Sequence, residues 1–187
     1  MIAKKRSTRL PGKNNLDFNG SPMFIYTLKK LLPFNIPIIF DSDSSNMIQL
    51  ATSLSPLIRG NLRPEHLRDG DLPSVKIFQN ILRQQRLDDC SIINIQANSP
   101  SIKPTTISKC IDIMKYSNVE ELITIYPQVL KLNGSVWCFS TDRLKNYGDP
   151  YTHNPDAYVN DNSVDIHDIE DFALALNQEK LNQYQTY

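Results

Sequence analysis

An α/β fold, with helices on both faces of a mostly parallel sheet, is the class this sequence predicts, and three observations predict it. Apolar runs of strand length alternate with segments of helical periodicity. The polar loops after the first, second and fourth runs then fall at one end of such a sheet, outside the carboxyl ends of its strands. With 187 residues the chain can bury the core of one domain.

The elements follow in order. A first short strand at 2–4 runs into Lys4-Lys5-Arg6-Ser7-Thr8-Arg9-Leu10-Pro11-Gly12-Lys13-Asn14, a segment with five cations and no acid. Backbone amides and fixed cations in such a loop suit a polyphosphate. The Walker spacing Gly-x-x-x-x-Gly-Lys-Ser/Thr is absent. Composition alone is equally compatible with a solvated basic arm; the place of the loop after a strand favours the phosphate reading. A helix is expected over 21–32, with Ser21 as N-cap and Pro22 at its first position. A strand at 37–40 leads to Asp41-Ser42-Asp43-Ser44, where Asp43 reads as an Asx-turn or capping residue. A strand at 57–59 and a helix at 74–85 follow, the latter apolar at Val75, Phe78, Ile81 and Leu82. Next come a strand at 91–95, the loop Gln96-Ala97-Asn98-Ser99-Pro100 and a helix at 104–116. Strands at 121–126 and 135–140 follow. A last helix at 168–177 opens with the capping-box-like Asp168-x-x-Asp171. Residues 1–177 form the single domain, and the polar tail 178–187 reads as a frayed helix end or as disordered.

Lys+Arg and Asp+Glu balance at 20 each. A net charge of zero argues against general nucleic-acid or membrane-surface binding, so the basic opening is a local feature. No apolar run reaches membrane-spanning length, and no leader pattern opens the chain. A soluble, cytoplasmic protein is expected. Cys90, Cys110 and Cys138 lie in apolar segments without metal-ligand spacing and read as buried thiols. His66 and His153 read as solvated, and Trp137 and Phe139 as core.

Seven motifs, in order, resemble those of the CMP-sugar synthetases, the cytidylyltransferases of acylneuraminate and related 3-deoxy-2-keto sugar acids. The opening segment from Ala3 to Asn14 is similar to the family loop Ala-Arg-x-x-Ser-x-x-x-Pro-x-Lys-Asn. Gly20-Ser21-Pro22 with Thr27, Ser42-Asp43-Ser44 and Arg63-Pro64 with Leu67 match in turn. Gln96 to Pro100, Asn133-Gly134, and Ser163-Val164-Asp165-Ile166-His167 with Asp171 complete the series.

The resemblance implies a three-layer α/β/α, Rossmann-like nucleotidyltransferase fold. It also implies attack by a sugar acid on the α-phosphorus of CTP with release of pyrophosphate. Lys4, Arg9, Lys13 and Asp165 would carry the catalysis. Ala3, Lys4, Ser7, Arg9, Lys13 and Asn14 would hold the triphosphate side, and Arg63 and Ser74 the cytidine. Gln96, Asn98, Ser99 and Asn133 would face the sugar. Asp165, with His167, would hold Mg²⁺.

Three features depart from the family pattern. Lys4 stands where the family has arginine and lacks its bidentate fork, with Arg6 two residues on. His167 stands where many members have a second aspartate. Only five residues separate Pro127 from Asn133, where relatives carry a long excursion that forms their dimer contact, so a dimer of that kind is not expected. The substrate would then be smaller, or its carboxylate would be held by a group of this chain such as Lys103 or Lys131. Two other readings stay open: a same-fold nucleotidyltransferase using another sugar or nucleotide, and a nucleotide-binding homologue without turnover.

Overall fold

The computed structural model describes residues 1–68, 72–147 and 154–184. It is a three-layer α/β/α arrangement whose sheet comes in two sections. The first section is parallel, in the order β1 (Ile2–Ala3), β4 (Ile38–Ser42), β5 (Ile58–Leu62). Between β1 and β4 lie the basic loop, a small hairpin of β2 (Asp17–Phe18) and β3 (Ser21–Pro22), and α1 (Met23–Lys29). Ser21 therefore belongs to a strand rather than capping a helix, and Pro22 is the residue before α1. Helix α2 (Ser45–Thr52), which the sequence reading did not anticipate, links β4 to β5; the Ser44 hydroxyl caps it by accepting from the Met47 amide at 3.4 Å.

The second section runs β6 (Ser91–Ile95), β8 (Lys131–Ser140), β7 (Glu121–Tyr126), β9 (Ala157–Asn160). Strand β8 is antiparallel to both neighbours, because a tight turn at 127–130 returns the chain directly beside β7. Strand β9 is parallel to β7. The connecting helices are α3 (Ser74–Gln85), α4 (Pro104–Tyr116) and α5 (Thr141–Tyr147). The expected bounds of α3 and α4 agree with the structure.

Alternation along β8 builds the layers. Val136 and Cys138 face a core with Phe24 and Leu28 of α1, Met47 of α2, and Ile107 and Cys110 of α4. Trp137 and Phe139 face the opposite core, with Phe78 and Ile81 of α3 and Leu144 of α5. Cys110 and Cys138 are buried as expected, whereas Cys90 is half-buried. Helix α6 (Ile169–Tyr184) packs a third cluster through Ala175 against Phe18, Met23 and Ile166. It continues well beyond the expected end at Asn177, because Glu179 is buried against Lys30 at 2.8 Å and the Tyr26 hydroxyl at 2.7 Å. Residues 178–184 are thus an anchored helix. No helix among the described residues is long and apolar enough to cross a membrane.

No backbone ladder joins β1 to β6 among the described residues. Beside that seam lies an apolar cavity of about 520 Å³, lined by Met1, Ile38, Ile39, Ile92 and Ile93 among others. Its walls are nearly all hydrocarbon and offer little to chemistry. The polar cleft at the carboxyl end of β1 and β6 is the candidate site.

Candidate functional site

The loop after β1 is held in shape by its own chain. Gly12 adopts φ +67°, a conformation that glycine enters without steric cost, and turns the backbone into the short 3-10 turn at Lys13–Asn15. The Asn14 side-chain amide donates to the Lys4 carbonyl at 2.8 Å, closing the loop across its base. The Lys5 amide donates to the Asp43 carboxylate at 2.7 Å, so Asp43 serves as a tether. Lys13 Nζ donates to the Ile166 carbonyl at 2.5 Å and so spans from the loop to the far wall. Burial lowers the Lys13 pKa, Asp165 opposes that shift, and Arg9 adds to it.

The far wall is the loop after β6 with residues 165–167 docked on it. The Ile166 amide donates to the Asn98 carbonyl at 2.9 Å, and the Asn98 side-chain amide donates to both the Ile166 carbonyl and the Asp165 carboxylate. His167 Nε2 lies 3.0 Å from Asp165 Oδ2. The sequence-predicted capping box forms: Asp168 accepts from the Glu170 and Asp171 amides, and Asp171 accepts from those of His167 and Asp168. This fixes where the 165–167 segment enters α6. Burial raises the Asp165 pKa, while His167, Lys13 and Arg9 pull it back down.

These walls enclose a cleft of about 480 Å³. The cations Lys4, Arg6, Arg9 and Lys13 face it together with Asp165, the one carboxylate that lines it among the described residues. Ser7, Asn14, Ser74, Gln96, Asn98 and His167, all named from the sequence, also line it. Phe78 and Trp137 form an aromatic floor, their ring centroids 5.3 Å apart, with the indole N–H donating to Glu121 at 3.1 Å. Three buried polar atoms on these residues have no protein partner: Asn14 Oδ1, Asn94 Oδ1 and His167 Nδ1. Such atoms are rare in a packed interior; Arg63 Nη1 and Ser99 Oγ, on residues outside the cleft, are two more.

Four expected site residues lie elsewhere. The Ala3 side chain is buried in the core beneath the loop. Arg63 is fully buried, because its guanidinium is drawn to Asp41, Nε donating at 2.8 Å while Asn61 donates to the other carboxylate oxygen. Ser99 is buried inside the turn that follows Gln96. The Asn133 side-chain amide donates to the Asp161 carbonyl and carboxylate, both at 2.9 Å, and braces β8 against the segment after β9. Lys103 and Lys131 are exposed and do not line the cleft. His66 is exposed as expected, and His153 is outside the described residues. Sequence reasoning missed Thr8 and Asn94, and Trp137 is core as expected. Asn94 had a usable signal, a lone amide within the apolar strand Ile92-Ile93-Asn94-Ile95.

A family model described as cytidylyltransferase matches residues 2–185. The chain is 27% identical over 168 residues to the CMP-N,N'-diacetyllegionaminic acid synthase of Legionella pneumophila, covering 87% of this chain and 70% of that one. It is 28% identical over 113 residues to the 3-deoxy-manno-octulosonate cytidylyltransferase of Lawsonia intracellularis, covering 59% of this chain but only 42% of that one. The fold superposes with a TM-score of 0.70 on a cytidylyltransferase from Leptospira borgpetersenii, at 15% identity and covering 93% and 82% of the two chains. It superposes at 0.68 on a CMP:2-keto-3-deoxy-manno-octonic acid synthetase complexed with CTP, at 14% identity and covering 98% and 97%. The two structural likenesses show the fold, and the family match spans nearly the whole chain. The chain therefore belongs to the cytidylyltransferase family.

Proposed function

We propose that this chain transfers a cytidylyl group from CTP to a keto sugar acid of the acylneuraminate-like class, releasing pyrophosphate. One observation carries the reading: Ser7, Arg9 and Lys13 from the loop after β1 and Asp165 from the far wall line a single cleft. The names of the Legionella and Lawsonia relatives support a sugar acid as the acceptor.

The anomeric hydroxyl attacks the α-phosphorus. A new phosphorus–oxygen bond forms as the bond to the bridging oxygen of pyrophosphate breaks. Negative charge builds on the α-phosphate and the leaving group, where Arg9 and Lys13 stand preorganised. Lys13 is already tethered to the Ile166 carbonyl, and Asn14 already closes the loop, so little has to reorder as the charge develops. A phosphate also restores to Lys13 the charge stabilisation that burial removes. Ser74, with the edges of Phe78 and Trp137 behind it, lines the side of the cleft where the base would lie. Gln96 and Asn98 face the acceptor side. Arg63, Ser99 and Asn133 act through the scaffold.

Asp165 and His167 fit a divalent cation. They present a carboxylate oxygen and an imidazole nitrogen side by side, in the cleft that Lys4, Arg6, Arg9 and Lys13 also line. A cation held there would supply positive charge to the phosphate oxygens and acidify the attacking hydroxyl. The test is pyrophosphate release with each nucleoside triphosphate against a panel of keto sugar acids, with and without divalent metal. Release is expected with CTP; CTP binding without release for any acceptor would refute the catalytic reading.

A further inference from the structure

Asp161, which follows β9, is a buried carboxylate outside the cleft, and it pairs with no cation among the described residues. Five neutral donors meet its charge instead. Oδ2 accepts from Asn133 Nδ2 at 2.9 Å, from Ser135 Oγ at 2.5 Å, and from the amide and hydroxyl of Ser163. Oδ1 accepts from Thr106 Oγ1 at 3.3 Å. Thr106 belongs to α4, and Asn133 and Ser135 belong to β8, so one carboxylate ties a helix and a strand to the chain that leaves the sheet. A carboxylate stays charged in the interior only with such a set of donors. The donors are buried in turn, and without Asp161 they would be orphaned.

The chain beyond Asp161 has no regular secondary structure through residue 167, yet it carries Asp165 to the wall of the cleft. It is pinned along its length. The Tyr126 hydroxyl donates to the Ser163 carbonyl at 3.2 Å. The Val164 amide donates to Ser101 Oγ at 3.1 Å, and the Ile166 amide to the Asn98 carbonyl at 2.9 Å. Among these pins, the Asp161 carboxylate is the one that reaches both β8 and α4.

We propose that Asp161 is a positioning residue: it fastens the 161–166 segment to β8 and α4, and so fixes where Asp165 stands in the cleft. The cytidylyl-transfer reading enters only through the reaction that Asp165 serves.

Two measurements test it on the full 187-residue chain. In Asp161→Ala, kcat for pyrophosphate release should fall by about 10²-fold per folded molecule, the cost of misplacing a reacting group by about 1 Å. KM for CTP should stay within about threefold, because the basic loop grips the triphosphate. A purely structural role would lower the folded fraction and leave kcat per folded molecule as it is. Asp161→Asn keeps an oxygen for Asn133, Ser135 and Ser163, and should bring kcat back to within about tenfold of the parent.

Amide exchange followed by NMR needs neither activity nor, in the parent, a variant that folds. The parent amides of Ser163, Val164 and Ile166 should exchange within about tenfold of the β8 amides. In Asp161→Ala their exchange should quicken at least about tenfold more than that of β4, which lies in the other sheet section. Loop-like exchange of these amides in the parent would overturn the proposal, as would equal quickening in the segment and in β4. So would an unchanged kcat, a KM that rises in step with the loss of kcat, or an asparagine variant no better than the alanine one. If the parent releases no pyrophosphate with any acceptor, the transferase reading falls, and the exchange data alone uphold or overturn the anchoring.

Discussion

Replacing Arg63 by methionine should destabilise the fold strongly while sparing the nucleotide. Arg63 and Asp41 are both fully buried, with the guanidinium Nε and Nη2 on one carboxylate oxygen and Asn61 on the other. Arg63→Met leaves the buried Asp41 carboxylate with the Asn61 amide and the electrostatic pull of the Met1 amine alone. Breaking a buried ion pair from one side costs about 3–5 kcal/mol, and two lost charge-assisted hydrogen bonds of about 1.5–3 kcal/mol each give an overlapping range of about 3–6 kcal/mol. With a urea slope of about 2 kcal/mol per M, the unfolding midpoint should fall by about 1.5–2.5 M. The double variant Asp41→Asn/Arg63→Met removes both charges and should recover more than half of the loss. The assay is urea unfolding followed by the fluorescence of Trp137, the only tryptophan, with CTP affinity measured in native buffer. A stability change below about 1 kcal/mol together with a tenfold loss of CTP affinity would refute the reasoning. Arg63 would then serve the ligand rather than the sheet.

Other expectations are narrower. Lys13→Met should lower pyrophosphate release by about 10²–10³-fold, as loss of a charge-stabilising donor does; activity within fivefold of the parent would remove Lys13 from the reaction. Gly60→Ala should cost about 1–3 kcal/mol, because a Cβ there would lie 2.3 Å from Ile48 Cγ2 and β5 would have to part from α2; an unchanged urea midpoint would show that the contact yields freely. The Met1 amine is buried and donates to the Ile39 carbonyl at 2.9 Å, and burial pulls its pKa down from 8.0 to about 6. The unfolded chain therefore takes up this proton below pH 8 and the folded chain only below about 6, so stability is full above pH 8 and falls by about 2–3 kcal/mol as pH drops to 6. An α-acetylated preparation should lack that part of the pH dependence, and identical profiles for the two would contradict it.

Local signals made much of this molecule readable. Helices α3 and α4 have a strong apolar stripe, and Pro104 marks the start of α4, so their limits follow from the sequence. Helix α2 buries only Met47 and Ala51, too little for periodicity to register. Strand β9 buries only Val159 fully and reads as loop. The far part of α6 is anchored by a buried Glu179 paired with Lys30, a polar contact that hydrophobic patterning cannot see. The same limit explains the site. The basic loop and the loop after β6 were legible because chain order and sheet polarity bring them together, whereas the 165–167 segment, which also lines the cleft, was legible only through the motif resemblance. Arg63 and Asn133 were misplaced because a motif fixes their position along the chain but not their partners, and Asp41 and Asp161 claim them from within the scaffold.

The seam between the two sheet sections has a mechanical meaning. The basic loop belongs to the β1-β4-β5 section, while Gln96 and Asn98 extend from β6 in the other. No backbone rung crosses between them among the described residues, so shear along the seam is resisted by side chains alone. A ligand that grips Lys13 and Asn98 at once becomes a rivet across that joint. Amide exchange in β4 and in β6 should then run on separate clocks in the free chain and keep common time once both sides of the cleft are gripped.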